Sequence, residues 1–135
     1  MTDSNAAVPE RRGRQRFVAQ RRGADCFWAV VDGRREPLCD LSLEGFGLGG
    51  TFDVGRRIDV VLHRAAVPDE IRGTVRVANC FAGAAGAQSG CVFEHFEGDG
   101  RERLRDWLVA HVIASATVPI TEQDAERIVC GPSLV

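Results

Sequence analysis

The fold is decided by residues 26–49, which read CFWAVVDGRREPLCDLSLEGFGLG. The apolar run 26–31 favours a β-strand, and Asp32-Gly33 directly after it is a strong signal for a two-residue hairpin turn. The returning strand is predicted at 36–42. The glycine-rich stretch 45–50 then predicts a turn, because glycine adopts positive φ and lets the backbone approach another group closely. We therefore expect short antiparallel strands from this segment.

Outside this segment, further strands are predicted at 58–62, 71–78 and 91–96. In 71–78, apolar and polar residues alternate, which is typical of a strand with one buried face. A loose Gly/Ala loop is predicted at 83–90. Because closing a sheet into a barrel removes its exposed edges, closely spaced short strands favour a small barrel. The sequence predicts a mainly β fold, a small six-stranded antiparallel β-barrel with a C-terminal amphipathic α-helix.

That helix is indicated by a change of apolar period after residue 96. Six residues fall on one face of a helix: Leu104, Trp107, Leu108, His111, Val112 and Ser115. Asp99 with Glu102 fits a capping box at its start, and Thr121 with Asp124 fits another that opens a short second helix. The side chains of Trp28, Trp107 and His111 are predicted to belong to the core.

Composition places the chain among ordinary globular proteins. It has 135 residues, enough for one domain with a sizeable core, and 44% of them are apolar and 27% charged. The five cysteines are odd in number and irregularly spaced, which favours a reduced, cytoplasmic setting over a disulfide framework. The polar N-terminus lacks the features of a signal peptide, and no apolar run is long enough for a transmembrane helix. We expect no membrane insertion.

Charge is distributed unevenly along the chain, although the net charge is only −2. Residues 10–22 contain six arginines and one acid, a local charge of +5. Since like charges repel and no apolar period is present, we expect 10–22 to be a poorly ordered arm when free, preceded by a flexible tail at 1–9. The chain as a whole is not expected to bind polyanions, whereas the arm is a local basic element.

Two motifs carry the candidate chemistry. Residues 12–16 read RGRQR, an R-x-x-x-R with a further arginine, Arg11, before it. Residues 40–45 read DLSLEG, a D-x-S-x-x-G at the end of a predicted strand. Each is common alone, because arginines four apart occur by chance in an arginine-rich chain and D-x-S-x-x-G often marks only a strand-to-turn junction. Their order, with a hairpin between them and a glycine-rich stretch after them, makes the pair specific.

Together the motifs resemble the PilZ family, and the resemblance covers residues 10–115. It implies a PilZ-like split barrel, with the R-x-x-x-R on a mobile N-terminal loop and the D-x-S-x-x-G on the barrel surface. In that family, cyclic di-GMP is held between them. The stretch 90–96 is similar to the family's last strand, and a closing helix is typical. The implied layout is a PilZ domain at 10–116, comprising the arm at 10–22, the barrel at 24–96 and the helix at 99–116, followed by a C-terminal extension at 117–135.

The resemblance assigns the ligand to Arg12, Arg16, Asp40, Ser42 and Gly45. Guanidinium groups make bidentate bonds to phosphate and to the O6/N7 edge of guanine, which are the roles implied for Arg12 and Arg16. The Asp40 carboxylate can accept hydrogen bonds from guanine N1–H and the exocyclic amine, and the Ser42 hydroxyl can contact a phosphate or base edge. Gly45 is expected to let the backbone approach, since a side chain there would fill the ligand's space.

Arg11 bears on the number of ligands. In PilZ relatives, a basic residue just before the first motif arginine accompanies an intercalated ligand dimer, and an apolar residue accompanies a monomer. The resemblance therefore implies two cyclic di-GMP molecules per chain, with Arg11 stacked on a guanine. It also implies a non-catalytic receptor or adaptor, whose arm orders over the ligand and changes the surface offered to a downstream protein. That partner is unidentified, and flagellar, exopolysaccharide, chemotaxis and transcription machinery all fit the family.

Two other functions stay open. The first is a PilZ-like interaction module that binds no nucleotide, although such modules usually lack the paired arginines. The second is a small nucleic-acid-binding barrel that uses its basic arm, which is less favoured because the strands hold few aromatic residues for base stacking and Tyr is absent. No enzyme is expected, because His63, His95 and His111 share no metal-ligand spacing and nothing indicates a converging nucleophile, base and orienting group.

Overall fold

The computed structural model of the protein describes residues 15–21, 23–83 and 86–132. The predicted tail at 1–9 and the candidate site residues Arg11 and Arg12 lie outside this part of the chain. The strands are β1 (Phe17–Val18), β2 (Gln20–Arg21), β3 (Ala24–Asp25), β4 (Phe27–Val31), β5 (Arg34–Leu41), β6 (Gly45–Gly49), β7 (Arg57–Arg64), β8 (Glu70–Gly83) and β9 (Gly86–Phe96). The helices are α1 (Gly100–Ser115) and α2 (Glu122–Cys130).

Six of the strands close into an antiparallel barrel. They pair in the order β5-β4-β7-β8-β9-β6, and β6 pairs back onto β5 to complete the circle. β1 pairs with the end of β5, with Phe17 opposite Leu41 and Val18 opposite Asp40. β2 and β3 form a separate two-stranded ribbon. The predicted fold class is confirmed: the chain is mainly β, with a closed six-stranded antiparallel barrel and a C-terminal helix.

The hairpin predicted at Asp32-Gly33 joins β4 to β5. Both turn residues have positive φ, 52° for Asp32 and 78° for Gly33, and Val31 pairs directly with Arg34. This backbone geometry matches the right-handed twist of the flanking strands, which is why Asp-Gly is favoured there. The first two barrel strands are therefore connected as their sequence indicated.

Two stretches predicted as turn or loop are strands instead. The glycine-rich stretch 45–50 contributes β6, in which Phe46 and Leu48 are fully buried. The predicted loop at 83–90 falls largely in the β8–β9 hairpin, where residues 86–90 belong to β9. Gly and Ala carry no periodicity that marks a strand. Here β6 and β8 both supply backbone partners to this part of β9, so pairing rather than side-chain pattern makes it a strand.

The barrel interior is filled by alternate residues along each strand. In β4, Phe27 and Ala29 are buried, whereas Trp28 between them is only half-buried. Since successive side chains of a strand point to opposite faces, Trp28 lies on the barrel exterior, and its prediction as a core residue is wrong. There the Arg35 guanidinium lies 3.8 Å from the indole centroid, and the His63 ring stacks at 5.8 Å. These two groups cover the exposed indole.

Helix α1 packs against the barrel through its predicted apolar face. Leu104, Trp107 and Leu108 are buried, and the Trp107 ring stacks 6.4 Å from that of Phe27. α2 packs on α1, with Ala125 and Val129 buried between them. Within the described residues, neither helix is long and apolar enough to cross a bilayer.

The two predicted capping boxes have different outcomes. At the start of α2, Thr121 Oγ1 accepts a hydrogen bond from the Asp124 backbone N–H at 3.0 Å, and the reciprocal bond is also present, as predicted. At the start of α1, the Asp99 side chain caps no backbone group. It instead accepts a hydrogen bond from Arg103 Nε at 2.8 Å, so the predicted box with Glu102 is wrong. A charged donor one turn along the helix is the stronger partner for this carboxylate.

His111 connects α1 to the N-terminal arm. Its half-buried ring lies edge-on to Phe27 at 5.1 Å, and it hydrogen-bonds the backbone of Val18. Burial lowers the pKa of His111 below its ordinary value of 6.5. The hydrogen bond to Val18 raises this pKa, whereas the nearby charges of Arg21 and Arg64 lower it further. The folded protein therefore favours the neutral imidazole.

This preference predicts a pH-dependent stability. Because the unfolded chain takes up a proton near pH 6.5 that folded His111 resists, the free energy of unfolding falls as the pH drops from 6.5 towards the lower folded-state pKa. Thermal unfolding followed by circular dichroism should give a Tm that decreases between about pH 7.5 and 5.5. The decrease should be smaller in His111→Gln, which can still donate to the Val18 backbone but cannot titrate. Equal pH dependence in both proteins would contradict the assignment to His111.

Candidate ligand-binding site

The D-x-S-x-x-G motif forms the junction between β5 and β6. Its Ser42 side chain is only 1% exposed, because its hydroxyl lies inside the turn. Ser42 Oγ accepts hydrogen bonds from the backbone N–H groups of Glu44 at 3.1 Å and Gly45 at 3.3 Å. These bonds hold the backbone of the turn that connects β5 to β6. The structure therefore gives Ser42 a role in shaping the turn, and its contact with a ligand stays a prediction.

The structure gives Gly45 a role in strand packing. A Cβ at this position would lie 1.9 Å from the backbone oxygen of Cys91, inside van der Waals contact. Gly45 pairs with Val92 of β9, so the space that a side chain would need is occupied by the neighbouring strand. The structure explains this glycine by strand packing, and its approach to a ligand stays a prediction. Glycine is required here because β6 and β9 approach each other closely.

Asp40 and Arg16, one from each motif, are brought together by the fold. A bulge between Leu38 and Asp40 in β5 turns the Asp40 side chain outward, while Leu38 and Leu41 stay buried. Arg16 Nη1 donates to Asp40 Oδ1 at 2.9 Å. Arg16 Nε is buried and has no hydrogen-bond partner among the described residues. A buried donor of this kind is a group that a bound anion can satisfy.

Next to this ion pair lies an open groove of about 730 Å³. It is lined by Arg16, Leu43, Glu44, Val92, Phe93, Glu94, His95, Phe96 and Arg101. The volume falls within the range of small-molecule sites, roughly 300–1,000 Å³. Leu43 and Glu44 come from the D-x-S-x-x-G turn, so the turn that Ser42 shapes forms part of the groove wall.

Of the predicted site residues that the structure describes, only Arg16 lines the groove itself. Asp40 holds Arg16, and Ser42 and Gly45 act on the turn and on strand packing. Arg101, Phe93 and Phe96 line the groove but belong to neither motif. Phe93 and Phe96 lie in a predicted strand, but the pairing of β8 with β9 shifts register near them, so alternation alone does not assign their faces.

Charges of both signs lie at the groove, which two arginines and two glutamates line. Glu94 accepts hydrogen bonds from Arg57 Nε at 2.7 Å and from Arg76 Nε at 3.2 Å. The Arg57 bond, followed by the charges of both arginines, lowers the pKa of Glu94, so this carboxylate stays ionised and is matched by two guanidinium groups. In the described part of the chain, no group of three or more His, Cys, Asp or Glu residues could hold a metal ion. The chemistry of the groove suits an organic anion with planar rings.

Comparison with known proteins supports the fold. No family model matches the chain, and no curated protein matches it. Among solved structures, the Bacillus subtilis inhibitor of motility, MotI/DgrA, is similar in fold with a TM-score of 0.62 and 12% sequence identity. The match covers 78% of this chain and 53% of that protein, so this chain spans about half its length. At this identity, the similarity establishes a shared small-barrel fold.

The packing role of Gly45 gives a prediction about the barrel without any ligand. Gly45→Ala should lower the free energy of unfolding by roughly 1–3 kcal/mol, because the new Cβ forces β6 away from β9. Gly49→Ala is the matched control on the same strand, since a Cβ there meets no atom within 4 Å. It should change stability by about 0.5 kcal/mol or less. Urea denaturation measures both, and equal stability of the two variants would show that β6 tolerates a side chain at Gly45.

Proposed function

We propose that this protein is a non-catalytic receptor for cyclic di-GMP that passes the signal to another protein. The observation that carries the proposal is the Arg16–Asp40 ion pair, which joins the two motifs beside a groove large enough for a nucleotide. The motif residues lie 24 positions apart in the sequence. If each motif occurred by chance, nothing would require the two motifs to meet at one place on the barrel.

The chemistry of the ligand matches the groups available. Cyclic di-GMP carries two phosphodiester charges and two guanines. Arg16 lies at the groove with a buried Nε donor that no described residue accepts, and guanidinium groups bind phosphate and guanine edges well. Asp40 lies beside it and can accept from the N1–H and amine of guanine. Arg11 and Arg12, immediately before this region, would add two further guanidinium groups.

The signal is proposed to be an ordering of the arm. Residue 16 directly precedes β1, which pairs with β5 at Asp40, so the end of the arm is held beside the D-x-S-x-x-G motif. Ligand phosphates would neutralise the arginines of the arm and draw it onto the barrel. The arm also contacts α1 through the end of β2, where Arg21 Nη2 donates to the Ala114 backbone oxygen at 2.7 Å. A ligand that moves the arm would therefore change the surface around α1 that a downstream protein meets.

The class of protein follows from the same features. We propose no enzymatic role, because the described residues of the groove offer cationic and aromatic groups for binding and no paired nucleophile and base. The five cysteines are free thiols, which suits the reduced bacterial cytoplasm in which we place the protein. The similar fold of an inhibitor of motility supports a regulatory role, with motility machinery as one candidate target. A module that binds no nucleotide is the alternative.

Isothermal titration calorimetry with cyclic di-GMP tests the receptor directly. We expect binding that GTP and cyclic di-AMP do not reproduce. Arg16→Ala, Arg12→Ala and Asp40→Ala should each weaken it at least about tenfold, because each removes a charge-assisted contact. Arg34→Ala is the control, since Arg34 is exposed at the other end of β5 from Asp40. Absence of heat with every nucleotide would favour the interaction module.

The stoichiometry of the same titration tests the role of Arg11. Two ligands per chain are expected for the natural sequence, because a guanidinium at this position can stack on the guanine of a second molecule. Arg11→Leu should reduce the number to one. Arg14→Leu, in the same arm but outside the R-x-x-x-R positions, should leave it at two. Binding of a single ligand per chain by the natural protein would support the receptor proposal but contradict the role predicted for Arg11.

A further inference from the structure

The first turns of α1 carry three arginines whose surroundings differ. Arg103 is held by several bonds: its Nε donates to Asp99 and its Nη1 to Asp69 and the backbone oxygen of Glu70, at 2.8–2.9 Å. These bonds fasten α1 to the chain before β8. Arg103 is therefore a structural residue, and its charge is matched by two carboxylates.

Arg101, one half-turn earlier, has no such partner. Its Nη1 donates to the backbone oxygen of Leu43 at 3.2 Å, and it makes no ion pair with any described residue. A guanidinium has five N–H donors, and this bond uses one of them. Leu43 belongs to the D-x-S-x-x-G turn. Arg101 therefore lies against this motif, although the two residues are 58 positions apart in the sequence.

Arg101 and Arg16 line the same groove from different elements. Arg16 comes from the arm before β1, and Arg101 comes from the first turn of α1, where the backbone N–H groups also favour negative charge. Two acids, Glu44 and Glu94, also line the groove, and Glu94 is matched by Arg57 and Arg76. Both guanidinium groups at the groove have unused N–H donors, because among the described residues Arg16 Nε has no partner and Arg101 donates only to Leu43.

The groove also has an aromatic side. Phe93 and Phe96 both line it, with their ring centroids 4.5 Å apart. Aromatic rings and guanidinium groups are the two kinds of side chain on which a purine base stacks. A ligand that combines an anionic diester with a purine matches both sides of the groove.

We propose that Arg101 and Arg16 form a phosphodiester subsite, in which one phosphate of cyclic di-GMP lies between the two guanidinium groups and a guanine lies against Phe93 and Phe96. This subsite rests on the proposed function and adds to it a ligand-binding residue from α1. The phosphate takes the donors that Arg101 does not use for Leu43. Ligand binding thereby links three elements: the arm, the D-x-S-x-x-G turn and α1.

Calorimetry of Arg101→Gln with cyclic di-GMP tests the subsite. Glutamine keeps a donor for the Leu43 oxygen but removes the charge, so binding should weaken about tenfold or more. Arg105→Gln is the matched control on the next turn of α1. Arg105 does not line the groove but lines an adjoining cavity that Leu43 and Arg101 also line, and it lies within 4 Å of two acids, Asp106 and Glu126. Its substitution should change the affinity by about twofold or less.

The outcomes separate the subsite from the receptor. If Arg101→Gln binds cyclic di-GMP as tightly as the natural protein does, the subsite is wrong and the receptor proposal remains. If both substitutions weaken binding equally, the subsite is also wrong, since the loss of affinity would then reflect only the loss of positive charge on α1. If the natural protein binds no cyclic di-GMP, the receptor and the subsite are both wrong.

A second measurement needs no variant and so is independent of folding. In the natural protein, the side-chain Nε–H resonances of Arg16 and Arg101 should shift in nuclear magnetic resonance spectra when cyclic di-GMP is added. That of Arg105 should stay in place. An Arg101 resonance that does not move while that of Arg16 does would overturn the subsite.

Discussion

The close approach of β6 to β9 is the constraint on which the rest of the structure depends. β6 closes the barrel by pairing with both β5 and β9, and it reaches β9 because Gly45 leaves no side chain between the two backbones. Phe46 and Leu48 then fill the interior. Since the D-x-S-x-x-G turn connects β5 to β6, closure of the barrel also sets the position of that turn. The groove wall formed by Leu43 and Glu44 is thus a consequence of how the barrel closes.

On this rigid barrel, the arm is attached by weaker contacts. The Arg16–Asp40 ion pair is partly exposed, with 25% and 32% of the two side chains accessible. Pairs of this kind contribute roughly 1 kcal/mol or less, because water and salt screen them. Residues 17–21 are held more firmly, because β1 pairs with β5, Ala19 is buried, and Val18 and Arg21 each bond to α1. The ion pair itself is weak enough for a ligand that binds Arg16 to replace it.

The fold was predictable wherever side-chain pattern and turn chemistry agreed. The Asp32-Gly33 hairpin, the apolar face of α1 and the capping box at Thr121 are local signals, and the structure has all three. The strands at 45–49 and 86–90 were not predictable in this way, because their backbone partners come from distant parts of the chain. Trp28 illustrates the same limit, since its hydrophobicity suggested the core while its place in the alternation of β4 puts it outside.

By itself, the sequence determined the fold class, the order of the main elements and the two motifs, because each depends on residues close together in the chain. Only the tertiary structure decided that Asp40 pairs with Arg16, that Ser42 and Gly45 serve the turn and the strand packing, and that Arg101 lies at the same groove. The physical reason is that a site on a closed barrel is assembled from elements whose spacing is set by strand pairing. Arg101 lies 58 residues from Leu43, and no local pattern encodes their contact.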